Sequence, residues 1–420
     1  MRVLVISHTV FSETESMGKT LSLYFNGFKN SELAQFYVHS QVPTSKICCN
    51  YYRVTDLEAI ESIFGAKAGV IFREEDIDST RIDARTDKGV TASMYQKARK
   101  RTPMIYFARN LWWKLAHWNN RQFNKWLDSV QPDCVFFASG DYSFMYNIAR
   151  NIAINRGIPL YVSCMDDFYF YNRNSDSFLG KFQHRFFMKS VHKTMEYATK
   201  VFCICDKMST DYSKLFQKEC ITVHTPSMLK GPINCNKGSE ICYLGNLGYH
   251  RYEQLIDIGR TLKKMNLVPN CIDVYSSETR NEILSEMTEE NGIRFHGAVG
   301  AEQVLKIISK SLAVIHTESF DETIRNAISY SVSTKIADSL ASGTCIFAYG
   351  PEEVASFQYL RTNSAAICCN SKKLLEKTLE KLIIDSKLRE TTIKNALKLA
   401  EKNHRVEITP QIIRNAISCE

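Results

Sequence analysis

Short apolar runs of four to six residues alternate with amphipathic segments along most of this chain. The runs are rich in Val, Ile, Phe and Cys, as buried strands are, whereas the amphipathic segments carry apolar residues at helical spacing. The predicted strands cover Arg2–Ser7, Pro132–Ala138, Gly157–Cys164 with its entering turn, Val201–Cys205, Glu240–Gly245, Cys271–Tyr275, Ile293–His296, Leu312–His316 and Thr344–Ala348. The predicted helices cover Gly18–Phe28, Tyr142–Arg156, Met208–Phe216, Glu253–Met265, Gln303–Ser309, Lys335–Ala341, Lys372–Ile384, Leu388–Lys402 and Pro410–Ser418. This alternation predicts an α/β protein with parallel sheets that are covered on both faces.

A polar segment interrupts the alternation near the middle of the chain. Met228–Ser239 contains glycine and proline and has no apolar periodicity, which is typical of a linker between domains. A chain of 420 residues has room for about two domains. We therefore predict an N-terminal domain at 1–228, a C-terminal domain at 229–400 and a last segment at 401–420, both domains being doubly wound.

The composition excludes several classes of protein. Apolar residues make up 44% of the chain and charged residues 23%, which excludes a disordered protein. No apolar run reaches the roughly 18–20 residues that span a bilayer, and the first residues lack the pattern of a signal peptide, so we expect a cytoplasmic protein. The 14 cysteines do not have the spacing of metal-binding pairs, and we expect no metal site.

The net charge of +8 is concentrated in one stretch of the sequence. Eight basic residues and no acidic residue lie between Lys97 and Lys125, and all four tryptophans lie between Trp112 and Trp126. An amphipathic helix of this composition suits an anionic membrane surface, with tryptophan at the depth of the headgroups. The same composition suits a structural helix with a basic outer face, or, as the least favoured alternative, a nucleic-acid site.

Two turns in the second half of the chain suit a phosphate group. Parallel sheets bind ligands beyond the carboxyl ends of their strands, where helix N-termini attract anions. One turn begins at Gly245 and runs through Gly248 to the basic Arg251. The other is Ser333–Lys335, with Asp338 one helical turn further on the same face. An ordinary tight turn and a surface ion pair would leave the same patterns.

These turns and three other segments carry a resemblance to a known family. Tyr243–Gly248, Phe295–Val304 and Ser333–Gly343 resemble, in order, three donor-side motifs of GT-B glycosyltransferases, in particular the family-4-like enzymes of bacterial surface-polysaccharide synthesis. Pro159–Asp167 and Ala198–Phe216 resemble motifs of the acceptor-side half of the same family. The resemblance implies a GT-B fold, in which two Rossmann-like domains face a cleft and the last helix, at 401–420, returns toward the N-terminal domain.

The resemblance also implies which residues bind a nucleotide-sugar donor. The implied phosphate contacts are Gly245, Asn246, Arg251, Ser333, Thr334 and Lys335, with Asp338 at the ribose and the backbone near His296 and Gly297 at the base. Asn246 stands where the family usually has an arginine, so the phosphate contact would pass to Arg251. Tyr330 stands where many members have a glutamate that contacts the sugar, and Glu318 or Glu322 would substitute for it.

Three residues of the first half are candidates for the chemistry. Asp166 and Asp167 follow a predicted strand, where a carboxylate could accept a proton from an acceptor hydroxyl or stabilise a positively charged transition state. A capping aspartate would look the same in the sequence. His8 follows the first predicted strand and would face the same cleft, although a lone histidine is more often structural.

Two further patterns are weaker. Gly18-Lys19-Thr20 resembles the end of a P-loop, but the position that needs the first glycine is Glu13. Asp76-Ile77-Asp78 resembles an acidic metal-binding motif but lies in a strongly charged segment, where a solvated surface is the favoured interpretation.

Taken with the resemblance, these patterns predict a metal-independent glycosyltransferase of hexosyltransferase type, without a cofactor. Its donor would be a UDP- or GDP-sugar, and its acceptor a glycan or a polyprenyl-diphosphate-linked saccharide. Residues 97–126 would attach it to the inner, anionic face of the membrane. The alternatives are a sugar-nucleotide epimerase with the same fold and a non-catalytic basic protein that binds membrane or RNA.

Overall fold

The computed structural model describes two compact units. It covers residues 1–13, 16–77, 102–172, 177–229, 231–232 and 238–418. One unit contains Met1–Val223 and Thr409–Glu420, and the other contains His224–Ile408. The units divide between Val223 and His224, and the predicted boundary between residues 228 and 229 lies a few residues further along the chain. Parts of the predicted linker, together with Thr14, Glu15 and residues 78–101, lie outside the described residues.

The N-terminal unit is built on one eight-stranded sheet. Its strands are β1 (Val3–Ser7), β2 (Leu33–Tyr37), β3 (Asn50–Arg53), β4 (Val70–Arg73), β5 (Cys134–Ala138), β6 (Leu160–Cys164), β7 (Lys200–Cys203) and β8 (Cys220–Thr222). They lie in the order β4-β3-β2-β1-β5-β6-β7-β8. Among the described strands of this sheet, only β3 and the edge strand β4 pair in antiparallel orientation. Strands β1, β2, β5 and β6 are buried along their whole length, as expected where helices cover both faces.

Eight helices belong to this unit within the described residues. They are α1 (Ser16–Tyr24), α2 (Asp56–Ile63), α3 (Pro103–Leu115), α4 (Arg121–Val130), α5 (Ser143–Arg156), α6 (Phe178–Tyr197), α7 (Asp206–Phe216) and, from the end of the chain, α16 (Ile408–Ser418). Local sequence sets several of their ends. A capping box of Thr55 and Glu58 begins α2, and Gly157 ends α5 in the left-handed conformation that glycine adopts without strain.

The C-terminal unit is built on a six-stranded, fully parallel sheet. Its strands are β9 (Ile241–Leu244), β10 (Ile272–Tyr275), β11 (Ile293–Gly297), β12 (Ala313–Thr317), β13 (Cys345–Tyr349) and β14 (Ile367–Cys369), in the order β11-β10-β9-β12-β13-β14. Its helices are α8 (Arg251–Met265), α9 (Asn281–Leu284), α10 (Ala301–Lys310), α11 (Glu322–Ile328), α12 (Lys335–Ala341), α13 (Ala355–Thr362), α14 (Lys372–Ile384) and α15 (Ser386–Asn403). A separate apolar core lies against this sheet, with Leu255, Ile272, Phe347 and Leu379 fully buried.

The strand orders define one switch point in each sheet. After β1 the chain adds β2 on one side and later β5 on the other, and after β9 it adds β10 on one side and later β12 on the other. At such a point the connections leave in opposite directions and open a crevice beyond the carboxyl ends of the two strands. The fold therefore directs attention to the residues that follow β1 and β5, and β9 and β12.

The basic, tryptophan-rich stretch was expected to form one amphipathic helix, but its described part forms two. Residues 97–101 lie outside the described residues, and the rest forms α3 and α4, which a bend at residues 116–120 separates. The second helix begins at Asn120, whose side chain accepts a hydrogen bond from Phe123 N. Trp113 and Trp126 are buried in the core, so the expectation that tryptophans lie at headgroup depth is wrong for these two. Trp113 stacks on Phe144 at a centroid distance of 4.5 Å.

Candidate functional site: a pocket at the switch point of the C-terminal sheet

A pocket of about 190 Å³ lies beyond the carboxyl ends of β9 and β12. This is the switch point of the C-terminal sheet, where the topology alone predicts a ligand site. Its lining includes polar and charged side chains and one glycine of the turn after β9: Gly245, Asn246, Arg251, His316, Glu318, Ser333, Thr334, Lys335 and Asp338. Seven residues proposed from the sequence as donor contacts are thus brought together around one cavity.

The turn between β9 and α8 forms one wall of this pocket. Tyr243 Oη donates to the Asn246 carbonyl oxygen at 2.7 Å, and the Asn246 side-chain oxygen accepts from Gly248 N. The left-handed residues of the turn are Tyr249 and His250, not the glycines that the sequence analysis emphasised. The Asn246 amide thus shapes the turn.

A buried ion pair joins the turn to the end of β12. Arg251 Nε lies 2.9 Å from Glu318 Oε2, and a second guanidinium nitrogen lies 2.8 Å from the same oxygen. The Glu318 side chain is only 2% exposed. Burial raises the pKa of this carboxyl, and the Arg251 guanidinium opposes that rise. Arg251 is therefore already neutralised by a carboxylate, and the pair adds little net charge to the pocket.

His316 contributes no positive charge either. Its Nε2 lies 3.0 Å from Ser356 Oγ, and the ring is buried beside Arg251. Burial and the nearby guanidinium lower the pKa of His316 to about 3. The imidazole is therefore neutral at physiological pH.

Lys335 is the remaining cation among the described residues that line the pocket. In the portion of the chain that the structure describes, no carboxylate or other acceptor pairs with its ammonium group. Its side chain reaches solvent, but the surrounding protein lowers its pKa from the usual 10.5, and the Arg251 guanidinium lowers it further. A site that disfavours a lysine charge and supplies no counter-ion is suited to an anionic ligand.

The start of α12 differs in detail from the predicted cap. Thr334 is the N-cap residue but makes no capping hydrogen bond with its side chain, and Ser333 Oγ accepts a long one of 3.4 Å from Lys335 N. Asp338, one turn later, accepts a hydrogen bond from Ser227 Oγ at 2.6 Å. The ribose contact that the resemblance implies for Asp338 stays a prediction.

His296 and Gly297 do not line this pocket. They lie at the end of the edge strand β11, where His296 Nε2 is 2.7 Å from Asp273 Oδ1 and the ring stacks on Tyr275. Arg294 also pairs with Asp273, through two hydrogen bonds of 2.8 and 2.9 Å. The predicted contact between this segment and a nucleobase stays a prediction.

The switch point of the N-terminal sheet holds a different cluster. His8 follows β1, and its Nε2 lies 3.0 Å from an Arg109 guanidinium nitrogen. Since guanidinium groups only donate, Nε2 accepts and Nδ1 carries the proton of the neutral ring. Arg109 is buried, lies 3.9 Å above the Tyr142 ring and pairs with Asp56 at 2.9 Å. His8 is thus part of a fixed polar cluster.

The two aspartates after β6 have different surroundings. Asp166 is exposed, whereas Asp167 is buried. The Asp167 carboxylate accepts hydrogen bonds from the backbone N–H groups of Tyr169, Phe170 and Tyr171 and from the hydroxyl of Tyr212. This arrangement fits the capping alternative for Asp167, because four donors already occupy its oxygens.

Replacing Asp167 with alanine should therefore destabilise the N-terminal unit. Three backbone N–H groups and one tyrosine hydroxyl would lose their acceptor, at a cost of about 2–4 kcal/mol. Asp166→Ala, at the exposed neighbouring position, is the matched control and should cost less than about 1 kcal/mol. Thermal unfolding of both variants measures the difference. Equal stability of the two variants would contradict the structural role of Asp167.

Solved structures of other proteins share this architecture. No protein-family model and no curated protein sequence matches the chain. Among solved structures, it aligns over the whole of both chains with Anabaena HepE in complex with UDP, at a TM-score of 0.61 and 10% identity. Sucrose-phosphate synthase from Thermosynechococcus elongatus aligns equally completely, at 0.59 and 10%, and TarM aligns over 99% of this chain and 98% of its own, at 0.60 and 10%.

The chain has the GT-B fold. The predicted fold class, two doubly wound Rossmann-like domains, is thereby confirmed. In this GT-B chain the pocket described above belongs to the C-terminal Rossmann-like unit, and the His8 cluster belongs to the N-terminal one.

Three features of the GT-B chain bear on the remaining predictions. Within the described residues, no group of three or more His, Cys, Asp or Glu side chains could hold a metal ion, and no helix is long and apolar enough to cross a membrane. Asp78 of the weak acidic motif lies outside the described residues. Metal independence and location in the cell stay predictions.

Sequence reasoning missed the partners of the site residues. His316 was assigned only to a strand, although its position at the carboxyl end of β12 was a usable signal. Glu318 was named as one of two substitutes for a sugar contact, and the structure places it, unlike Glu322, in the pocket wall. The pairing of Arg109 with Asp56 had no signal in the sequence, because 53 residues separate the two.

Proposed function

We propose that this GT-B chain is a glycosyltransferase of hexosyltransferase type. It takes a UDP- or GDP-sugar in the C-terminal pocket and transfers the sugar to a glycan or a polyprenyl-diphosphate-linked acceptor. The observation that carries the proposal is the Lys335 ammonium, which has no partner within the described ranges and lies in a pocket at the switch point of the C-terminal sheet. HepE, which has the same fold, was solved in complex with UDP.

The chemistry of the pocket fits the departure of a nucleoside diphosphate. When the bond between sugar and phosphate breaks, negative charge grows on the phosphate oxygen that leaves. A fixed cation at that position stabilises the transition state more than the ground state. Lys335 supplies this charge in the proposed reaction, Arg251 is held in place by Glu318, and Asp338 accepts from a ribose hydroxyl. The proposal therefore assigns the leaving group to protein groups and needs no metal ion.

On the acceptor side the proposal favours Asp166 over Asp167. Asp166 is exposed two residues after the end of β6, whereas Asp167 is buried and caps the backbone that follows it. His8 Nε2 already accepts from Arg109, so His8 fits a positioning role better than that of a general base.

Donor affinity should fall at alkaline pH in a way that reports on Lys335. Burial and Arg251 lower the pKa of this ammonium, so it loses its charge at lower pH than an ordinary lysine does, and the diphosphate then loses its cation. The dissociation constant for UDP should rise as the pH increases from neutral toward the ordinary lysine pKa of 10.5, although the diphosphate group keeps nearly the same charge. Lys335→Arg keeps its charge over this range and should remove most of the rise, and an unchanged pH profile in that variant would contradict the assignment.

A panel of nucleotide sugars tests the proposed function as a whole. We expect a UDP- or GDP-sugar to raise the thermal unfolding temperature, because a ligand that binds only the folded state stabilises it. Product analysis with and without a saccharide acceptor then separates transfer from epimerisation, since an epimerase alters the sugar nucleotide without an acceptor. Failure of every nucleotide sugar to shift the temperature would favour a non-catalytic basic protein.

The proposal also places the protein at an anionic membrane surface on the cytoplasmic side. Helices α3 and α6 pack against each other and expose large apolar side chains. These are Met104, Phe107, Leu111 and Leu115 on α3, and Phe178, Phe182 and Phe186 on α6. We call them the apolar face. Exposed Lys114, Lys181, Arg185 and Lys189 lie on the same two helices. Apolar side chains interleaved with cations suit a bilayer with anionic headgroups.

Removing two phenylalanines from the apolar face should weaken binding to vesicles. Phe182→Ala/Phe186→Ala deletes exposed apolar surface but no charge, so we expect a loss of about tenfold or more in affinity for phosphatidylglycerol vesicles. Leu374→Ala/Ile384→Ala removes two exposed apolar side chains from α14 and serves as the control. Co-sedimentation measures both. Equal binding by the two variants would contradict this role of the apolar face.

A further inference from the structure

A second, larger pocket lies in the N-terminal unit. It has a volume of about 640 Å³ and is formed by the end of α2, the edge strand β4 and the first two turns of α4. Its helices are not those that carry the apolar face, and it contains no residue of the C-terminal pocket. We call it the edge pocket.

Among the residues that the structure describes, four cations and no acidic residue line the edge pocket. They are Lys67, Arg73, Arg121 and Lys125, and all four side chains are exposed. Across the described ranges of the chain, none of the four side chains forms an ion pair or a side-chain hydrogen bond. Cations gathered around one cavity repel each other, and an anion bound between them would remove that repulsion.

The wall of the edge pocket also contains a buried donor without a partner. Trp126 lines the pocket and is only 4% exposed, and its indole Nε1 has no hydrogen-bond acceptor in the described structure. Leaving such an N–H group buried and unpaired costs about 1–3 kcal/mol. The indole nitrogen is itself inaccessible to solvent, so Trp126 contributes part of its ring, and not a hydrogen-bond donor, to the surface of the pocket.

The position of the cations on α4 is unfavourable for the helix itself. Arg121 is the first residue of this ten-residue helix, and its first turn contains no acidic residue. The positive end of a helix dipole favours anions, so a basic residue there slightly destabilises the helix. The same dipole and the same cations act together on an anion that binds beside them.

We propose that the edge pocket is a binding site for a phosphate-bearing ligand. Phosphate oxygens are acceptors for the guanidinium and ammonium groups of the four cations. The ligand carries a phosphate or diphosphate group, as a soluble phosphate ester or as the headgroup of a lipid. This site is separate from the proposed donor site and does not depend on it.

Binding of inorganic pyrophosphate tests the site in the full-length protein. Lys335→Ala serves as the background, so that the C-terminal pocket does not contribute. Adding Arg121→Glu/Lys125→Glu reverses two pocket charges and places an acid in the first turn of α4, where it favours the helix. Lys214→Glu/Lys218→Glu makes the same change of net charge near the other edge of the sheet and is the matched control.

The expected result is a loss confined to the edge-pocket variant. In calorimetric titration we expect pyrophosphate to bind at least about tenfold more weakly to Arg121→Glu/Lys125→Glu than to the control. Its binding should also shift the tryptophan emission, and Trp126→Phe should remove that shift.

Repetition with phosphatidylglycerol and phosphatidylcholine vesicles identifies the source of the phosphate. A loss with pyrophosphate alone indicates a soluble ester, and a loss with phosphatidylglycerol vesicles indicates a lipid headgroup. Equal binding of the edge-pocket variant and the control to both probes would overturn the proposal.

Discussion

Replacing Lys335 with alanine is expected to weaken the binding of UDP or GDP by about 10- to 100-fold. The variant removes the one cation of the C-terminal pocket that has no partner among the described residues. Arg251 cannot replace it, because Glu318 holds the guanidinium with hydrogen bonds of 2.8 and 2.9 Å. Transfer should fall further than binding does, since the ammonium also stabilises the charge that develops on the leaving phosphate.

The control for this prediction is another lysine in the first turn of a helix. Lys373 lies in the first turn of α14, is exposed and does not line the pocket. Lys373→Ala makes the same change of side chain and charge, and it should leave nucleotide affinity within about twofold of the unchanged protein. Isothermal titration of both variants and a transfer assay give the comparison. Equal affinity of the Lys335 and Lys373 variants would remove Lys335 from the donor site.

Replacing Arg251 with alanine is expected to destabilise the C-terminal unit by about 3–5 kcal/mol. The variant leaves the Glu318 carboxylate buried without its cation, at a position where only 2% of the side chain is exposed. Burial already raises the pKa of this carboxyl, and loss of the guanidinium raises it further. A carboxyl whose pKa is raised by folding opposes folding when ionised, so the loss of stability should shrink as the pH falls.

A second substitution separates charge from packing. In Arg251→Ala/Glu318→Gln the buried charge is gone, and a substantial part of the lost stability should return. Hydrogen exchange of peptides from β9 and β12 measures the effect on the C-terminal unit, and peptides from β1 and β5 provide an internal reference. If the double variant is as unstable as the single one, lost packing and not an unpaired carboxylate explains the effect.

Several helices and strands of the C-terminal unit could be predicted because their apolar patterns and their end signals indicate the same element. Lys335–Ala341 has the same bounds in the prediction and in the structure, since a serine- and threonine-containing start and a glycine end frame a short apolar helix. The strand before Gly245 was equally clear, because an apolar run ends at a glycine turn. Most candidate donor contacts could therefore be gathered from local patterns and the family resemblance before the structure placed them around one pocket.

The elements between residues 29 and 77 were not predicted, for physical reasons. Strand β3 contains asparagine and arginine at its ends, and the edge strand β4 is only partly buried, so neither gives a continuous apolar run. In β2, Gln35 is fully buried and pairs with Ser7 Oγ and Phe11 N. A buried glutamine with tertiary partners looks like a surface residue in the sequence.

Surface features were hidden in the sequence for a related reason. Phe178, Phe182 and Phe186 repeat every four residues, as the core face of a helix does, yet the structure exposes all three. Trp113 and Trp126 lie in a basic segment that suggested a surface, yet both are buried. Periodicity identifies an apolar face but not what covers it, and partners distant in the sequence decide that.

A crystal structure of the protein with UDP or GDP tests the central claim most directly. We expect the diphosphate to occupy the pocket beyond β9 and β12, with phosphate oxygens in contact with the Lys335 ammonium and the ribose beside Asp338. Nucleotide density at another position in the C-terminal unit, or an empty pocket at a saturating nucleotide concentration, would contradict it.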